Sequence, residues 1–214
     1  SQRRHTLTQA QLKELDASRL RKVYKLLTNL TSTLNYQRVL ELALDSSMQA
    51  LTSTDTPEDR LVGAVLLFSK GDEETAQLYI ATSRRLLPPD RKHTFPGQKG
   101  LLKAVIEEGG GMIAEEPAKD PEIGRLIALQ TCATAYCTPL REGINTYGVF
   151  LFAHTQANFF NAANREVLNI ITKQAVSAIQ NARLYQDLEL EKERMTEIQE
   201  EARKKLARNL HDGP

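Results

Sequence analysis

Near the end of the chain a histidine stands directly beside a carboxylate, His211 and Asp212, after a basic run of Arg203, Lys204, Lys205 and Arg208 interleaved with Leu206 and Leu210. Imidazole titrates near pH ~6.5, so around neutrality it is mostly uncharged and keeps a ring nitrogen able to attack phosphorus. A neighbouring carboxylate can hold the other ring nitrogen as a donor, raise the nucleophilicity of the attacking one and stabilise the charge that develops. His211 therefore reads as a phosphoacceptor nucleophile and Asp212 as its acid/base neighbour. Phosphoryl transfer depends on positioning and charge neutralisation, which ATP, Mg²⁺ and a nucleotide-binding domain would have to supply. Two adjacent residues alone describe many solvated surface pairs, so the weight rests on their surroundings.

Other reactive side chains are sparse. Cys132 and Cys137 lie at or near an expected strand beginning at Thr134, and in an extended chain their odd separation sends them to opposite faces. That disfavours a joint thiol site and makes both small core residues. Two thiolates fall short of an iron-sulfur cluster, and no metal site is expected. His5 sits in a terminal tail, while His93 in a loop and His154 at a strand end read as surface or edge residues rather than haem ligands.

Helices must carry the terminal pair. Apolar residues recur three or four apart at Leu12, Leu15, Val23, Leu27, Leu30 and Leu34, which predicts an amphipathic helix from about Thr8 to Leu34. Asn35 can cap a second helix bearing Val39, Leu40, Ala43, Leu44 and Leu51. A third begins near Asn161 and runs without glycine or proline to Gly213, carrying Val167, Leu168, Ile171, Ala175, Ile179 and Ala182, then the sparser Leu188, Met195, Ile198, Ala202, Leu206 and Leu210. Between them, Leu61 to Ser69 and Ala76 to Ser83 read as a hairpin, Met112 to Ala114 as a brief strand, and Thr134 to Leu140 with Tyr147 to Ala153 as a second hairpin joined by residues 141–145. Short helices are expected over Leu101 to Glu108, stopped by Gly109, Gly110 and Gly111, and over Glu122 to Gln130.

Composition narrows the partners. Lys plus Arg (28) nearly balance Asp plus Glu (27), for a net charge of +1, so no long-range field favours nucleic acid or an anionic membrane. The basic run near His211 follows an acidic stretch and reads as a solvated helix face. The longest apolar run, Leu61 to Phe68, is far short of the ~20 residues of a membrane helix, and two cysteines without a secretory segment suit a reducing cytoplasm.

Two resemblances connect these pieces. LARNLHDGP resembles the LARxLHDGP phosphoacceptor motif of a subfamily of two-component sensor histidine kinases. In the middle, FPGQKGLLKAVIEEGGGMIAEEPAKDPE, CTPLREGINTYGVFLFAH and AVSAIQNARLYQDL occur in the order of segments of the GAF family, covering about Tyr36 to Leu188. The resemblance implies an α+β fold, an antiparallel sheet of about six strands flanked by helices, with long N- and C-terminal signalling helices. It departs at Lys103, where a small residue is usual, and at Glu115 or Glu116, where the acid before "DP" is shifted, so a standard ligand is not implied. The cyclic-nucleotide signature of the family is not visible as a whole. The expected organisation is a signalling and dimerisation helix at 1–34, a sensory domain at 35–186, and a linker with the start of the phosphoacceptor segment at 187–214.

The resemblance implies the sensory half of a cytoplasmic protein-histidine kinase, coupling a small-molecule or upstream signal to phosphorylation of His211 and transfer to a response regulator. These 214 residues hold no ATP-binding domain, so this stretch is expected to be inactive alone, with ATP and Mg²⁺ serving the parent kinase. A small-molecule pocket between the sheet and the Leu101 and Glu122 helices is expected, its ligand unnamed. The terminal helices are expected to pair in a parallel homodimer, with the spacing Ala202, Leu206, Leu210 marking a change of winding before the histidine. A non-enzymatic binding or dimerisation module is the alternative, and a thiol-based reductase using Cys132 and Cys137 a third reading.

Overall fold

The structure, a computed structural model, describes residues 35–52, 60–69 and 75–213. The amphipathic stretch expected from Thr8 to Leu34 lies outside the described residues.

Helix α1 spans Tyr36–Leu51, and Asn35 caps it as its sequence suggests: Oδ1 accepts from the N–H groups of Gln37 (3.0 Å) and Arg38 (3.4 Å). Its buried residues, among them Val39, Leu40, Ala43, Leu44 and Leu51, form one face. The strands are β1 Val62–Phe68, β2 Leu78–Arg84, β3 Thr94–Phe95, β4 Met112–Glu115, β5 Thr134–Glu142 and β6 Asn145–His154. They make one antiparallel sheet in the order β3-β2-β1-β6-β5-β4. This is the expected α+β architecture.

Both faces of the sheet are covered, which is why its central strands read as continuous apolar runs. Along β6, Phe150 and Phe152 enter a core shared with α1 and the long helix α3 (Ala162–His211). Val149, Leu151 and Ala153 enter a second core with α2 (Gly100–Glu108) and the turns that follow it. Asp45 of α1 grips Arg84 of β2 through both carboxylate oxygens, Nε at 2.7 Å and Nη2 at 3.0 Å, and so ties the helix to the sheet.

Three expectations change in detail. The β5–β6 connection is a two-residue turn, Gly143 and Ile144, because Glu142 still pairs with Asn145; Gly143 takes φ +56°, which suits a residue without Cβ. The helix expected over Glu122 to Gln130 is broken into two 3₁₀ turns, Ile123–Arg125 and Ile127–Leu129, with Leu126 extended between them. The cause is long-range. Asp90 takes the N–H groups of Ile127 (2.7 Å) and Ala128 (3.1 Å), which a continuous helix would have turned back on its own carbonyls. His154, expected at an edge, is buried at the end of β6 because the chain folds back and stacks Phe159 on its ring at 3.8 Å.

Helix α3 starts where the sequence placed it, with Asn161 Oδ1 accepting from the N–H of Asn164 at 3.0 Å. Its packed face runs through Val167, Leu168, Ile171, Ala175, Ile179 and Ala182. A fully buried leucine or isoleucine here contributes about 1.5–3 kcal/mol by area removed from water. From Arg183 onward every described residue is exposed.

Candidate functional site

His211 is the last residue of α3, and Asp212 caps the helix with its backbone N–H on the carbonyl of Arg208 at 2.8 Å. Their side chains are almost wholly exposed. Nδ1 of His211 lies 4.0 Å from Oδ1 of Asp212, near but longer than a hydrogen bond. At about 1.5 Å rise per residue the imidazole stands about 44 Å along the helix from Ala182, the last buried position. Among the described residues only Asp212 is paired with its ring, so any reaction there would need chemistry delivered from outside.

The cysteines behave differently from the parity reading. Cys132 precedes β5, with its N–H bonded to the carbonyl of Leu129, so the chain between the two thiols is not extended throughout. Both enter the same core, beneath α2. Both are buried, as expected of small core residues, and burial pushes each thiol up, Cys137 far above the usual range. The thiolate that a redox or reductase mechanism needs is therefore disfavoured. His93 ends a 3₁₀ turn with its ring 6.4 Å from that of Phe95, and His154 Nδ1 accepts from the N–H of Gln156 at 3.0 Å. His5 lies outside the described residues. Among the described residues no His, Cys, Asp or Glu cluster has the makings of a metal site, and no helix is long and apolar enough to cross a membrane.

The layer between the sheet and α2, where a ligand was expected, is filled by Leu78, Phe95, Leu102, Ile123, Leu126 and Leu129, each fully buried. Its wall is fastened by three carboxylates that the sequence reading did not single out. Asp90 accepts from the N–H groups of Leu87, Ile127 and Ala128. Asp120 accepts from Leu101, Glu122 and Ile123. Glu122 accepts from Gly97 (2.8 Å), Gln98 and Lys99 (both 2.7 Å). A buried carboxylate is tolerable when its lone pairs are used in this way. Only the local half was legible: an Asp-Pro-Glu turn is a signal for Asp120 taking the N–H groups that follow it, whereas nothing near Glu122 announces its partners in the preceding loop.

The two departures from the family pattern do not enter that layer. Lys103 is exposed on α2, with Nζ 3.7 Å from Glu107. Glu115 and Glu116 line an open groove of about 540 Å³ together with Lys119, Gln130 and Thr131.

The sequence pattern of the GAF domain matches residues 34–180. An uncharacterized sensor-like histidine kinase of Chloroflexus aurantiacus is 32% identical over 219 residues; the match covers 99% of this chain and 34% of that protein, so the chain spans about a third of its relative. Among solved structures, the GAF domain of a phosphoenolpyruvate-protein phosphotransferase from Coxiella burnetii superposes with a TM-score of 0.64 at 12% identity, covering 80% of this chain and 98% of that one. A free methionine-R-sulfoxide reductase from Neisseria meningitidis gives 0.62 at 14%, covering 85% and 97%. At such identities these two likenesses speak for the fold alone.

Proposed function

Because the chain belongs to the GAF domain family, we propose that it is the sensory region of a two-component sensor histidine kinase, in which the state of the globular domain governs phosphorylation of His211 and onward transfer to a response regulator. The observation that carries this reading is the single unbroken helix, Ala162–His211, whose first half is part of the domain core and whose last residue is the histidine. The 32% identity to a sensor-like histidine kinase along almost the whole chain supports it. Asp212 orients the imidazole and stabilises the positive charge that builds as phosphorus is attacked, while ATP and Mg²⁺ come with the parent kinase's nucleotide-binding domain.

The reading includes a parallel homodimer. Leu184, Leu188, Met195, Ile198, Leu206 and Leu210 are each more than half exposed in the single chain. The steps of four, seven and three from Leu184 to Ile198 suit a seam against a second copy of the same helix, and the step of eight from Ile198 to Leu206 falls where the change of winding is expected. An isolated helix of this composition is marginal in water, so the partner is what keeps it straight. A rotation or register shift of the paired helices would then carry a change in the domain to the histidine. The cytoplasm, where ATP and response regulators reside, is the compartment this reading requires.

The test is to incubate the full-length parent protein with γ-labelled ATP and Mg²⁺. Acid-labile, alkali-stable phosphate is expected, absent in His211→Gln. Phosphate that survives this substitution refutes the assignment, and a protein that dimerises without ever taking up phosphate is instead a binding or dimerisation module.

A further inference from the structure

On the α3 side of the sheet, the glycine run after α2, strand β5 and the middle of α3 enclose a cleft of about 330 Å³ that no carboxylate lines. We propose that this cleft binds an oxyanion of the phosphate class, free or as the phosphoester end of a small metabolite. The proposal is independent of the kinase reading.

Two cations converge on the cleft, Arg141 from β5 and Lys173 from α3, and neither forms an ion pair among the described residues. Arg141 is fixed in place: its Nε donates to the carbonyl of Gly143 at 2.7 Å, which leaves the forked Nη groups for a ligand. The guanidinium lies so close to Gly109 that a Cβ there would collide with Nη1. A Cβ on Gly111 would likewise collide with the hydroxyl of Tyr136. Gly109 also takes φ +69°, and the two glycines leave room for Arg141 in this cleft and for Tyr136 in the lobe beside it.

A neutral donor completes the set. Asn169 Oδ1 accepts from Tyr136 Oη at 2.7 Å and from Thr138 Oγ1 at 3.2 Å. With its oxygen held by two hydroxyls, the amide of Asn169 presents its NH₂ group, which has no acceptor among the described residues, to the cleft. One held cation, a second exposed one beside it, an oriented amide and a lining without acids form a site for a compact anion. Its volume, within the range of small-ligand sites, leaves room for the remainder of an ester beside the anionic group. A second lobe of about 480 Å³ shares Gly111, Asn169 and Lys173 with the first, and there Arg165 is accompanied by Glu166, so the charge preference is sharpest in the inner lobe.

The experiment uses the 214-residue chain at constant ionic strength. Inorganic phosphate and, separately, glycerol 3-phosphate are titrated against a chloride reference while the amide signals of Gly110 and Gly111 and the side-chain NH₂ of Asn169 are followed. Saturable shifts confined to these groups are expected. Removing one charge-assisted contact by Lys173→Ala should weaken binding by about fivefold or more, and Lys192→Ala, far along the exposed half of α3, should leave it unchanged. Arg141→Gln should weaken it as well; because Arg141 also packs on the Gly109 turn, the exposed Lys173 decides if that variant misfolds. Whichever probe saturates at the lower concentration identifies a free ion or an ester, and either upholds the site. Shifts that never saturate, that chloride reproduces, or that persist unchanged in Lys173→Ala overturn it.

Discussion

Up to Ala182, α3 presents a face of buried residues, with Leu168, Ile171 and Ala175 fully enclosed between α1 and the sheet; beyond it the same helix exposes every side chain, leucines included. The sequence draws the same line, since buried positions recur three or four apart before Ala182, whereas afterwards apolar residues thin out and Glu, Lys and Arg fill the gaps. The contrast teaches that one helix can serve two purposes. Its first half belongs to the fold's stability, while its second half adds nothing to the core formed by the described residues and is, in the proposed function, the part that pairs with a second copy.

The strongest way to sharpen this contrast is to truncate one leucine in each half. Leu168→Ala should lower the unfolding free energy by about 3 kcal/mol, from lost burial and the cavity left behind, as read from urea denaturation. Leu188→Ala should change the unfolding of the single domain by less than about 0.5 kcal/mol. The same change should shift the monomer–dimer equilibrium toward monomer in sedimentation experiments. A loss at Leu188 that matches Leu168 in dilute solution would mean that the second half folds back on its own sheet.

Next in size is the fastening of the globular part. Glu122→Ala strips the acceptors from the N–H groups of Gly97, Gln98 and Lys99 and should cost about 2–3 kcal/mol; Glu122→Gln, which keeps one oxygen, should cost less. Hydrogen exchange at those three amides should accelerate in Glu122→Ala while exchange along residues 188–205 stays as it was.

Those carboxylates mark where the sequence stops being legible. The caps at Asn35 and Asn161 are local devices, and local reading placed both helices correctly. The sheet was legible because β1, β5 and β6 are apolar on both faces. The 3₁₀ break at Leu126 and the burial of His154 were not, since each depends on a residue elsewhere in the chain, Asp90 in one case and the returning Phe159 in the other. The thiol parity argument failed because it assumed extended backbone where the chain still turns at Cys132. His211 stands out only through the motif its surroundings resemble, since its exposed position at the end of the helix does not single it out by geometry. Arg141, Lys173 and Asn169 meet only through the pairing of β5 with its neighbours and the packing of α3, so no spacing in the sequence joins them.

A smaller effect separates the halves by pH. Burial raises the Cys137 thiol from an ordinary value of 9.0, so the folded chain holds a proton that the unfolded chain gives up. Its contribution is complete below pH ~9 and is lost as pH rises above it, with a slope of at most about 1.4 kcal/mol per pH unit. Cys132 and Tyr136 are shifted in the same direction by burial. Urea midpoints should therefore fall from about pH 9 upward, and Cys137→Ala should flatten the decline; an unchanged slope would show that the thiol is not sealed in the fold. Smallest of all, Asp45→Asn weakens a partly exposed ion pair with Arg84 and should cost about 0.5 kcal/mol by denaturation.

If α3 relays the state of the domain to the histidine, its phase matters more than its length. Each residue turns the helix by about 100°, so a two-residue insertion between Glu193 and Arg194 rotates His211 by about 200° relative to the packed half, while seven residues return it to within about 20°. In the full-length protein, steady-state phosphate mapped to His211 should change severalfold with two inserted residues and stay within about twofold with seven. Equal phosphate on His211 in all three proteins, or phosphate mapped to another residue, would contradict a relay through this helix.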